Sequence, residues 1–382
     1  MDNRKTKIVF IQQQLVCGGA EKALYDLICL LDKSRFDITV LSLCDGGEWE
    51  EKFQNAGIRV VNLFVQRKRG CSAAQFIRHQ LRKLKIRLVL WRNERKLLEM
   101  LFPEGIDLVV SYSTWEFDAI ALPSITKSIK YVHGNIATNE NYCRDILRIR
   151  DILPEFHRII CVSEESRCSF KRMTGVENNV EMHFNPLNSA EVSQKADQFV
   201  ELPKDVPYLC AVGRLAPEKG FDRLIRIHKR ILDAGINHKL IIVGDGPEKD
   251  RLMQTVQETK TSESVIMAGY QSNPYPYMKH SHFLVCSSFT EGLPVIAMEA
   301  LSLGVPIVSA VPSIAEAFGD EFCGIISDND DESLECAIHK MLSDGSVYEK
   351  AKQGAQKRSL FFDGKCMVKE IEDLFASLTE GN

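Results

Sequence analysis

Short apolar runs alternate along the chain with longer segments in which apolar residues recur every three or four positions. The short runs are apolar on both faces, as is typical of strands in a parallel sheet that is covered by helices on both sides. The alternation occurs twice, so the pattern predicts an α/β fold with two such sheets. The predicted strands are 7–11, 38–43, 58–63, 107–111, 130–133, 158–162, 208–212, 239–243, 265–268, 283–287 and 306–309.

A polar stretch between Pro186 and Pro207 interrupts this rhythm and marks a domain boundary. With 382 residues, the chain is long enough for two domains of ordinary size. We predict a first domain over 1–188, a second over 189–365, and a C-terminal helix over 366–382 that returns to the first domain. Open parallel sheets bind ligands at the carboxyl ends of their strands, so two such domains facing each other predict a binding cleft.

Composition excludes several classes of protein. Hydrophobic residues make up 45% and charged residues 26%, which are the values of a folded globular chain. The net charge of −4 gives no reason to expect nucleic acid as a partner, although residues 1–190 hold 28 Lys and Arg against 23 Asp and Glu, and the remainder 20 against 29. The twelve cysteines contain no C-x-x-C pair, and no apolar run is long enough to span a membrane. We therefore expect a cytoplasmic protein.

The segment 66–96 is strongly basic, with eleven Lys and Arg and one acid, Glu94. Five of its apolar residues recur at helical spacing. An apolar stripe with basic flanks is typical of a helix on an anionic membrane surface, and also of a domain helix that packs on a sheet with its charges in water. We expect contact with a membrane or a lipid-linked substrate, and packing within the domain remains the alternative. The stripe consists of Ile77, Leu81, Leu84, Leu88 and Trp91.

Two glycine-containing loops follow predicted strands. Gly18 and Gly19 precede a helix, where another group could approach the backbone and an anion could meet unpaired amides, although a packing turn explains them as well. Gly213 begins the loop after the first strand of the second domain, and this loop contains Arg214 and Lys219. Two cations that approach from different directions can bind a diphosphate, so we predict an anion site on this loop.

The most informative motif follows the tenth predicted strand. A polar loop with Glu291 and Gly292 leads to Pro294, which we predict to be the first residue of a helix. The amides of Gly292 and Leu293 would then point out of the helix N-terminus towards a phosphate oxygen. Glu299 lies in the second turn, and a carboxylate can accept hydrogen bonds from both hydroxyls of a vicinal diol. The two acids therefore suit the two ends of a sugar nucleotide.

In their order along the chain, these motifs resemble those of the retaining GT-B glycosyltransferases of family 4, which have two Rossmann-like domains facing each other across a cleft. The resemblance covers nearly the whole chain, and its most specific element is the pair of glutamates eight residues apart. The motifs are Gly18–Glu21, Gly213–Leu215 with Glu218–Gly220, Gly244–Pro247, and Glu291–Pro294 with Glu299.

The resemblance implies roles for particular residues. Arg214 and Lys219 would bind the donor diphosphate, and Glu299 the ribose hydroxyls. Glu291 and the amides that follow it would bind the donor sugar. His133, at the end of the fifth predicted strand, matches a family histidine beside that sugar. The chain departs from the family before Glu316, where paired glycines are common and the sequence reads Ala310–Ala315.

The activity implied is transfer of a hexose from a nucleoside-diphosphate sugar to a hydroxyl acceptor with retention of configuration. Cell-surface or capsular polysaccharide and lipid-linked glycan are the expected acceptors, at the inner face of the plasma membrane. No cofactor is implied, and the acidic turn Asp328–Asp331 is not a convincing metal motif. Two alternatives remain open: a GT-B-fold epimerase or phosphorylase, and a non-catalytic protein that binds sugar nucleotides.

Overall fold

The computed structural model describes residues 4–16, 18–64, 94–113, 126–138 and 140–379. Contacts divide the chain into two compact units, the first formed by Met1–Pro186 with Met367–Asn382 and the second by Leu187–Cys366. The division falls two residues before the predicted boundary at 188. The basic segment predicted over 66–96 lies outside the described residues except for the start of one helix.

The first unit contains, in its described part, a parallel sheet of seven strands. These are β1 (Thr6–Gln14), β2 (Phe36–Cys44), β3 (Arg59–Phe64), β4 (Leu108–Ser113), β5 (Lys127–Val132), β6 (Arg158–Cys161) and β7 (Val180–Met182). Their order is β3-β2-β1-β4-β5-β6-β7, with every neighbouring pair parallel. In β1, Ile8 and Phe10 join the core on one face, and Val9 and Ile11 join the core on the other. Burial on both faces explains why the four central residues, 8–11, are all apolar.

Helices cover both faces of this sheet. In the described residues they are α1 (Gly19–Leu30), α2 (Glu50–Asn55), α3 (Glu94–Leu101), α4 (Glu140–Arg148) and α5 (Glu164–Thr174). The ends of α5 show how sequence sets a boundary. Ser163 precedes it and accepts a hydrogen bond from the Ser166 amide (3.0 Å), and Gly175 follows it with a φ of +73°. A serine N-cap and a left-handed glycine are the usual helix signals.

The second unit contains a parallel sheet of six strands in the described residues. These are β8 (Tyr208–Val212), β9 (Lys239–Val243), β10 (Val265–Gly269), β11 (Phe283–Cys286), β12 (Ile307–Ser309) and β13 (Gly324–Ile326). Their order is β10-β9-β8-β11-β12-β13. The order reverses between β8 and β11, and in open α/β sheets ligands bind beside the carboxyl ends of the strands at such a point.

The helices of the second unit pack on its sheet and on one another. In the described residues they are α6 (Ser189–Ala196), α7 (Phe221–Asp233), α8 (Lys249–Glu258), α9 (Tyr275–Lys279), α10 (Val295–Ser302), α11 (Ile314–Phe318), α12 (Asp331–Ser343) and α13 (Gly345–Ser359). Leu224, Ile227 and Ile231 of α7 enter the same core as Leu240 and Ile242 of β9. Their spacing of three and four residues is the apolar stripe that predicts an amphipathic helix.

The final helix, α14 (Gly364–Thr379), packs on the sheet of the first unit through residues after Met367. The ring of Phe375 is fully buried, with its centroid 6.2 Å from those of Phe10 and Phe36. Glu372 accepts a hydrogen bond from the Asp32 amide (2.6 Å). Helix α14 is therefore part of the first unit's core.

Three cysteines that lie inside strands are buried, as their apolar surroundings predict. Cys161 and Cys210 are inaccessible and Cys286 is 8% exposed. Burial raises the pKa of the Cys161 thiol to about 12, so this thiol is protonated at neutral pH. In the described part of the chain, no helix is both long and apolar enough to cross a membrane.

Candidate functional site

Two loops of the second unit meet at the carboxyl ends of β8 and β11. They line a pocket whose walls include Lys219 and Glu291, with Val212, Cys286 and Ser288 around them. β8 and β11 are neighbours in the sheet, so residues distant in sequence come together at its edge. The structure therefore joins the second and fourth motifs of the sequence in one pocket.

Lys219 and Glu291 form an ion pair in this pocket, between Nζ and Oε1. The two side chains are 24% and 19% exposed, so the pair is partly shielded from water. Ser288 donates a hydrogen bond from Oγ to the same carboxylate oxygen (2.8 Å), and Ser287 donates one from Oγ to the Lys219 carbonyl (2.9 Å). The loop after β11 thus holds the Glu291 carboxylate through Ser288 and the main chain of Lys219 through Ser287.

A glycine allows the two loops to approach. Gly220 has a φ of +63°, and a Cβ on it would lie 2.2 Å from the carbonyl oxygen of Ser287. Gly213, at the start of the same loop, lies beside the Lys219 side chain, whose Cδ would be 3.6 Å from an added Cβ. Glycine is therefore required at 220 for both its backbone conformation and its lack of a side chain.

Arg214 is placed differently from Lys219. Its side chain is 69% exposed, and Nη2 donates to Glu218 Oε1 (2.9 Å). The structure leaves it on the surface of the loop and does not include it in the pocket wall. The two predicted cations share a loop, and Lys219 is the one that lines the pocket.

Gly292 and Leu293 connect Glu291 to helix α10. Pro294 has an extended backbone (ψ 124°) and α10 begins at Val295, so the prediction that Pro294 is the first helical residue was wrong by one position. Within the described chain, the amides of Glu291, Gly292 and Leu293 have no hydrogen-bond acceptor. Consecutive unpaired amides before a helix favour binding of an anion.

Glu299 lies in the second turn of α10, as predicted, and only 5% of it is exposed. Tyr275, from α9, donates a hydrogen bond from its hydroxyl to Glu299 Oε1 (2.8 Å). Glu299 is not one of the residues around the described pocket of Lys219. Sequence analysis missed Tyr275, since a hydroxyl 24 residues away on another helix leaves no spacing signal.

In the first unit, Gly18 and Gly19 lie at the start of α1. Gly18 is extended and precedes the helix, and a Cβ on it would lie 2.5 Å from Glu21 Oε2. The Glu21 carboxyl group therefore turns back towards the helix N-terminus, where it accepts a hydrogen bond from Gln12 Nε2 (2.8 Å). Burial raises the pKa of Glu21. The glycine makes room for this carboxyl group, a contact that the sequence did not predict.

His133 follows β5 directly and is partly buried. Its Nε2 donates a hydrogen bond to the Tyr112 carbonyl (2.9 Å), and the ring stacks on Tyr131 with centroids 5.8 Å apart. Burial lowers the pKa of His133 to about 4, and the nearby charge of Lys130 acts in the same direction. The imidazole is therefore neutral at physiological pH.

The acidic turn Asp328–Asp331 has a structural role. Asp330 precedes α12 and accepts a hydrogen bond from the Ser333 amide (2.7 Å). Among the described residues, no three His, Cys, Asp or Glu side chains are grouped as metal ligands would be.

Comparison with known proteins agrees with this architecture. A model described as "Glycosyltransferase Family 4" matches residues 17–190, and one described as "Glycosyl transferases group 1" matches residues 192–358. The crystal structure of Anabaena Alr3699/HepE in complex with UDP and glucose superimposes with a TM-score of 0.76 at 18% identity, covering 98% of this chain and all of that one. This likeness shows the fold.

Two curated relatives illustrate the range of similarity. The amylovoran biosynthesis glycosyltransferase AmsD of Erwinia amylovora is 28% identical over 94% of this chain and 95% of its own. The N-acetylgalactosamine-N,N'-diacetylbacillosaminyl-diphospho-undecaprenol 4-alpha-N-acetylgalactosaminyltransferase of Campylobacter jejuni is 31% identical over 48% of this chain, and the match spans 50% of that relative. Both halves of the chain thus match glycosyltransferase family models, and its two sheets have the strand order of Rossmann domains, as in the GT-B glycosyltransferase fold.

Proposed function

We propose that this protein transfers a sugar from a nucleoside diphosphate to a hydroxyl acceptor with retention of configuration. The observation that supports it most is the pocket at the β8–β11 edge, where Lys219 and Glu291 lie beside three unpaired backbone amides. Cations and amide donors suit a diphosphate, and a carboxylate suits the hydroxyls of a sugar. The pocket and the two residues that follow Glu291 offer all three kinds of group.

The proposed donor binds to the second unit between the Lys219 loop and Glu299. Lys219 and the amides of Gly292 and Leu293 bind the phosphates, and Arg214 turns its exposed side chain towards them. Gly213 lets the diphosphate approach the backbone. Glu299, held by the Tyr275 hydroxyl, accepts from the ribose diol.

In the first unit, the family resemblance implies that the donor approaches the backbone at Gly18 and Gly19. It also implies that His133 lies beside the donor sugar. A neutral imidazole whose Nε2 proton is engaged by the Tyr112 carbonyl suits orientation of hydroxyls better than nucleophilic attack.

The proposed reaction breaks the bond between the anomeric carbon and the phosphate oxygen, and forms one between that carbon and the acceptor oxygen. The acceptor proton passes to an oxygen of the departing diphosphate, on the face from which the diphosphate leaves, so the configuration is retained. Lys219 and Arg214 stabilise the negative charge on the leaving group, an effect that is worth several kcal/mol when the site excludes water. This chemistry requires no metal ion.

The acceptor class is proposed from the relatives. One acts in amylovoran biosynthesis, and the name of another specifies a diphospho-undecaprenol glycan. We therefore propose a growing surface polysaccharide or lipid-linked glycan as acceptor, and action at the cytoplasmic face of the membrane, which segment 66–96 contacts. The bound UDP of HepE favours a uridine nucleotide as the first donor to test.

A donor assay in EDTA tests the proposal. UDP-, GDP- and ADP-sugars are incubated with the protein, with and without a lipid-linked acceptor, and products are followed by proton NMR. Without an acceptor we expect slow release of free sugar, and with an acceptor we expect faster transfer. The anomeric bond of the product should have the same configuration, axial or equatorial, as that of the donor. A free epimer or a sugar phosphate would instead indicate an epimerase or a phosphorylase. An inverted product, or strict dependence on an added metal, would contradict the mechanism.

A further inference from the structure

A buried arginine donates hydrogen bonds to the main chain of the loop that bears Glu291. Arg223, on the first turn of α7, is 5% exposed and lies outside the motifs of the sequence. Its Nε and Nη2 both donate to the Ser287 carbonyl (2.9 and 2.6 Å), and Nη2 donates to the Ser288 carbonyl (3.0 Å). A guanidinium group is suited to this task because its donors have a fixed planar geometry.

Asn329 hydrogen-bonds both to Arg223 and to the same loop. Its side-chain oxygen accepts from Arg223 Nη2 (2.8 Å), and its Nδ2 donates to the Phe289 carbonyl (2.6 Å). The guanidinium carbon of Arg223 also lies 4.1 Å from the centre of the Phe289 ring. Three successive carbonyls of the loop are thus bound by two side chains.

Binding the carbonyls fixes the opposite side of the loop. In a trans peptide the C=O and the next N–H point in opposite directions. The Ser288 carbonyl accepts from Arg223, and the next amide, that of Phe289, donates to the Glu218 carbonyl on the Lys219 loop (2.8 Å). Arg223 therefore sets the spacing between the loops that bear Lys219 and Glu291.

The far end of the loop is held in the same way. Ser313 is 3% exposed and donates a hydrogen bond from Oγ to the Gly292 carbonyl. The Leu293 amide must then point away from Ser313. Ser313 thus fixes the Gly292 carbonyl, and the unpaired Leu293 amide faces the other way.

We propose that Arg223, together with Asn329, is a positioning residue for the diphosphate site, and this inference rests on the function proposed above. Arg223 touches no ligand itself. It orders the loop before the nucleotide arrives, so that the cost of ordering is not subtracted from binding energy. Its loss is therefore expected to weaken nucleotide binding.

The test compares Arg223→Lys and Asn329→Ala with Arg226→Gln. Lysine keeps the charge but has one donor group in place of the fork. Asn329 is exposed, so its removal tests the attachment without emptying the core. Arg226 lies on the same helix, is 45% exposed and pairs with Asp222, which makes it the matched control.

The readouts are the Kd for UDP, GDP and ADP by calorimetry, the donor KM and kcat, and the melting temperature. We expect Kd and donor KM to rise together by about tenfold in both variants, because carbonyls left without donors let the loop move. Arg226→Gln is expected to match the wild type. A lower melting temperature with unchanged Kd would show that Arg223 stabilises the fold without affecting nucleotide binding, and would overturn the inference.

Nucleotide binding by the wild type distinguishes failure of the proposed function from failure of the positioning role. If the wild type binds none of the three nucleotides, the proposed function fails and the inference falls with it. If the wild type binds one of them and both variants bind it equally well, the proposed function stands and the positioning role is wrong.

Discussion

Lys219 and Glu291 are 72 residues apart in the sequence, and in the structure the lysine donates directly to the carboxylate. The charges of the two side chains cancel each other in the pocket. Under the proposed function, a nucleoside diphosphate competes with Glu291 for the lysine, after which the carboxylate can accept from sugar hydroxyls. Replacing either partner therefore separates binding of the diphosphate from binding of the sugar.

Glu291→Gln is expected to bind UDP about tenfold more tightly than the wild type while transferring sugar more slowly, because the amide no longer competes for Lys219. Lys219→Ala is expected to weaken UDP binding and transfer together. Calorimetry and initial rates measure both. The control is Lys229→Ala, since this lysine pairs with Asp233 on the surface of α7. Weaker UDP binding by Glu291→Gln would contradict the proposed competition.

Tyr275→Phe removes the hydroxyl that donates to Glu299 and leaves the ring in place. We expect the donor KM to rise about fivefold to tenfold with little change in kcat, because the carboxylate loses a partner that orients it for the ribose. Tyr277→Phe is the matched control, since Tyr277 contributes its main-chain carbonyl to a hydrogen bond from Tyr208 (2.9 Å). Equal donor KM values in the two variants would show that the Tyr275 hydroxyl has no role in donor binding.

Gly220→Ala tests the close approach of the two loops. The comparison is Gly235→Ala, because both glycines have positive φ values (+63° and +89°) but only Gly220 has atoms within 4 Å of an added Cβ. The strain of the backbone is then similar in the two variants, and overpacking makes Gly220→Ala less stable by about 1–3 kcal/mol. Urea unfolding measures the difference. Equal free energies of unfolding would show that the loops can separate at no cost.

A buried histidine pair predicts loss of stability in acid. His228 Nδ1 donates to His238 Nε2 (2.8 Å), His238 Nδ1 donates to the Ile236 carbonyl (3.0 Å), and Ser264 donates to His228 Nε2 (2.9 Å). Burial, with a smaller effect of His238, lowers the pKa of His228 to about 3. The unfolded chain binds a proton near pH 6.5, and the folded chain does not until far lower pH.

The free energy of unfolding is therefore expected to fall as pH drops below about 6.5, by on the order of 2 kcal/mol for His228 at about pH 5. Urea titrations at several pH values measure this slope. The variant His228→Gln, His238→Gln should show a shallower slope, and His280→Gln, at an exposed position, should keep the wild-type slope. An identical slope in all three proteins would assign the acid sensitivity to other groups.

Sequence pattern predicted the repeating elements and the motifs, because both depend on local chemistry. Apolar runs identified strands such as β1 and β11, and the loops with Lys219 and Glu291 were recognised before their contact was known. β7 and β13 were not predicted, since each has three residues and lacks a continuous apolar run: Glu181 lies in the middle of β7, and β13 begins at Gly324.

Contacts made by backbone carbonyls were equally invisible to sequence analysis. Arg223 resembles any helical arginine until the structure shows which carbonyls it binds. The contacts of Tyr275 and Glu21 were not predicted for a related reason: each has its partner on another element, and no spacing in the sequence reports such a contact.

Binding of a nucleoside diphosphate by the second unit, between Lys219, the Gly292–Leu293 amides and Glu299, underlies the proposed function. It is measured by calorimetric titration of UDP, GDP and ADP into the wild type, Lys219→Ala and Glu299→Ala. We expect one nucleotide to bind the wild type, and each variant to bind it at least about tenfold more weakly. Binding of equal strength in all three proteins, or no binding to the wild type, would contradict it.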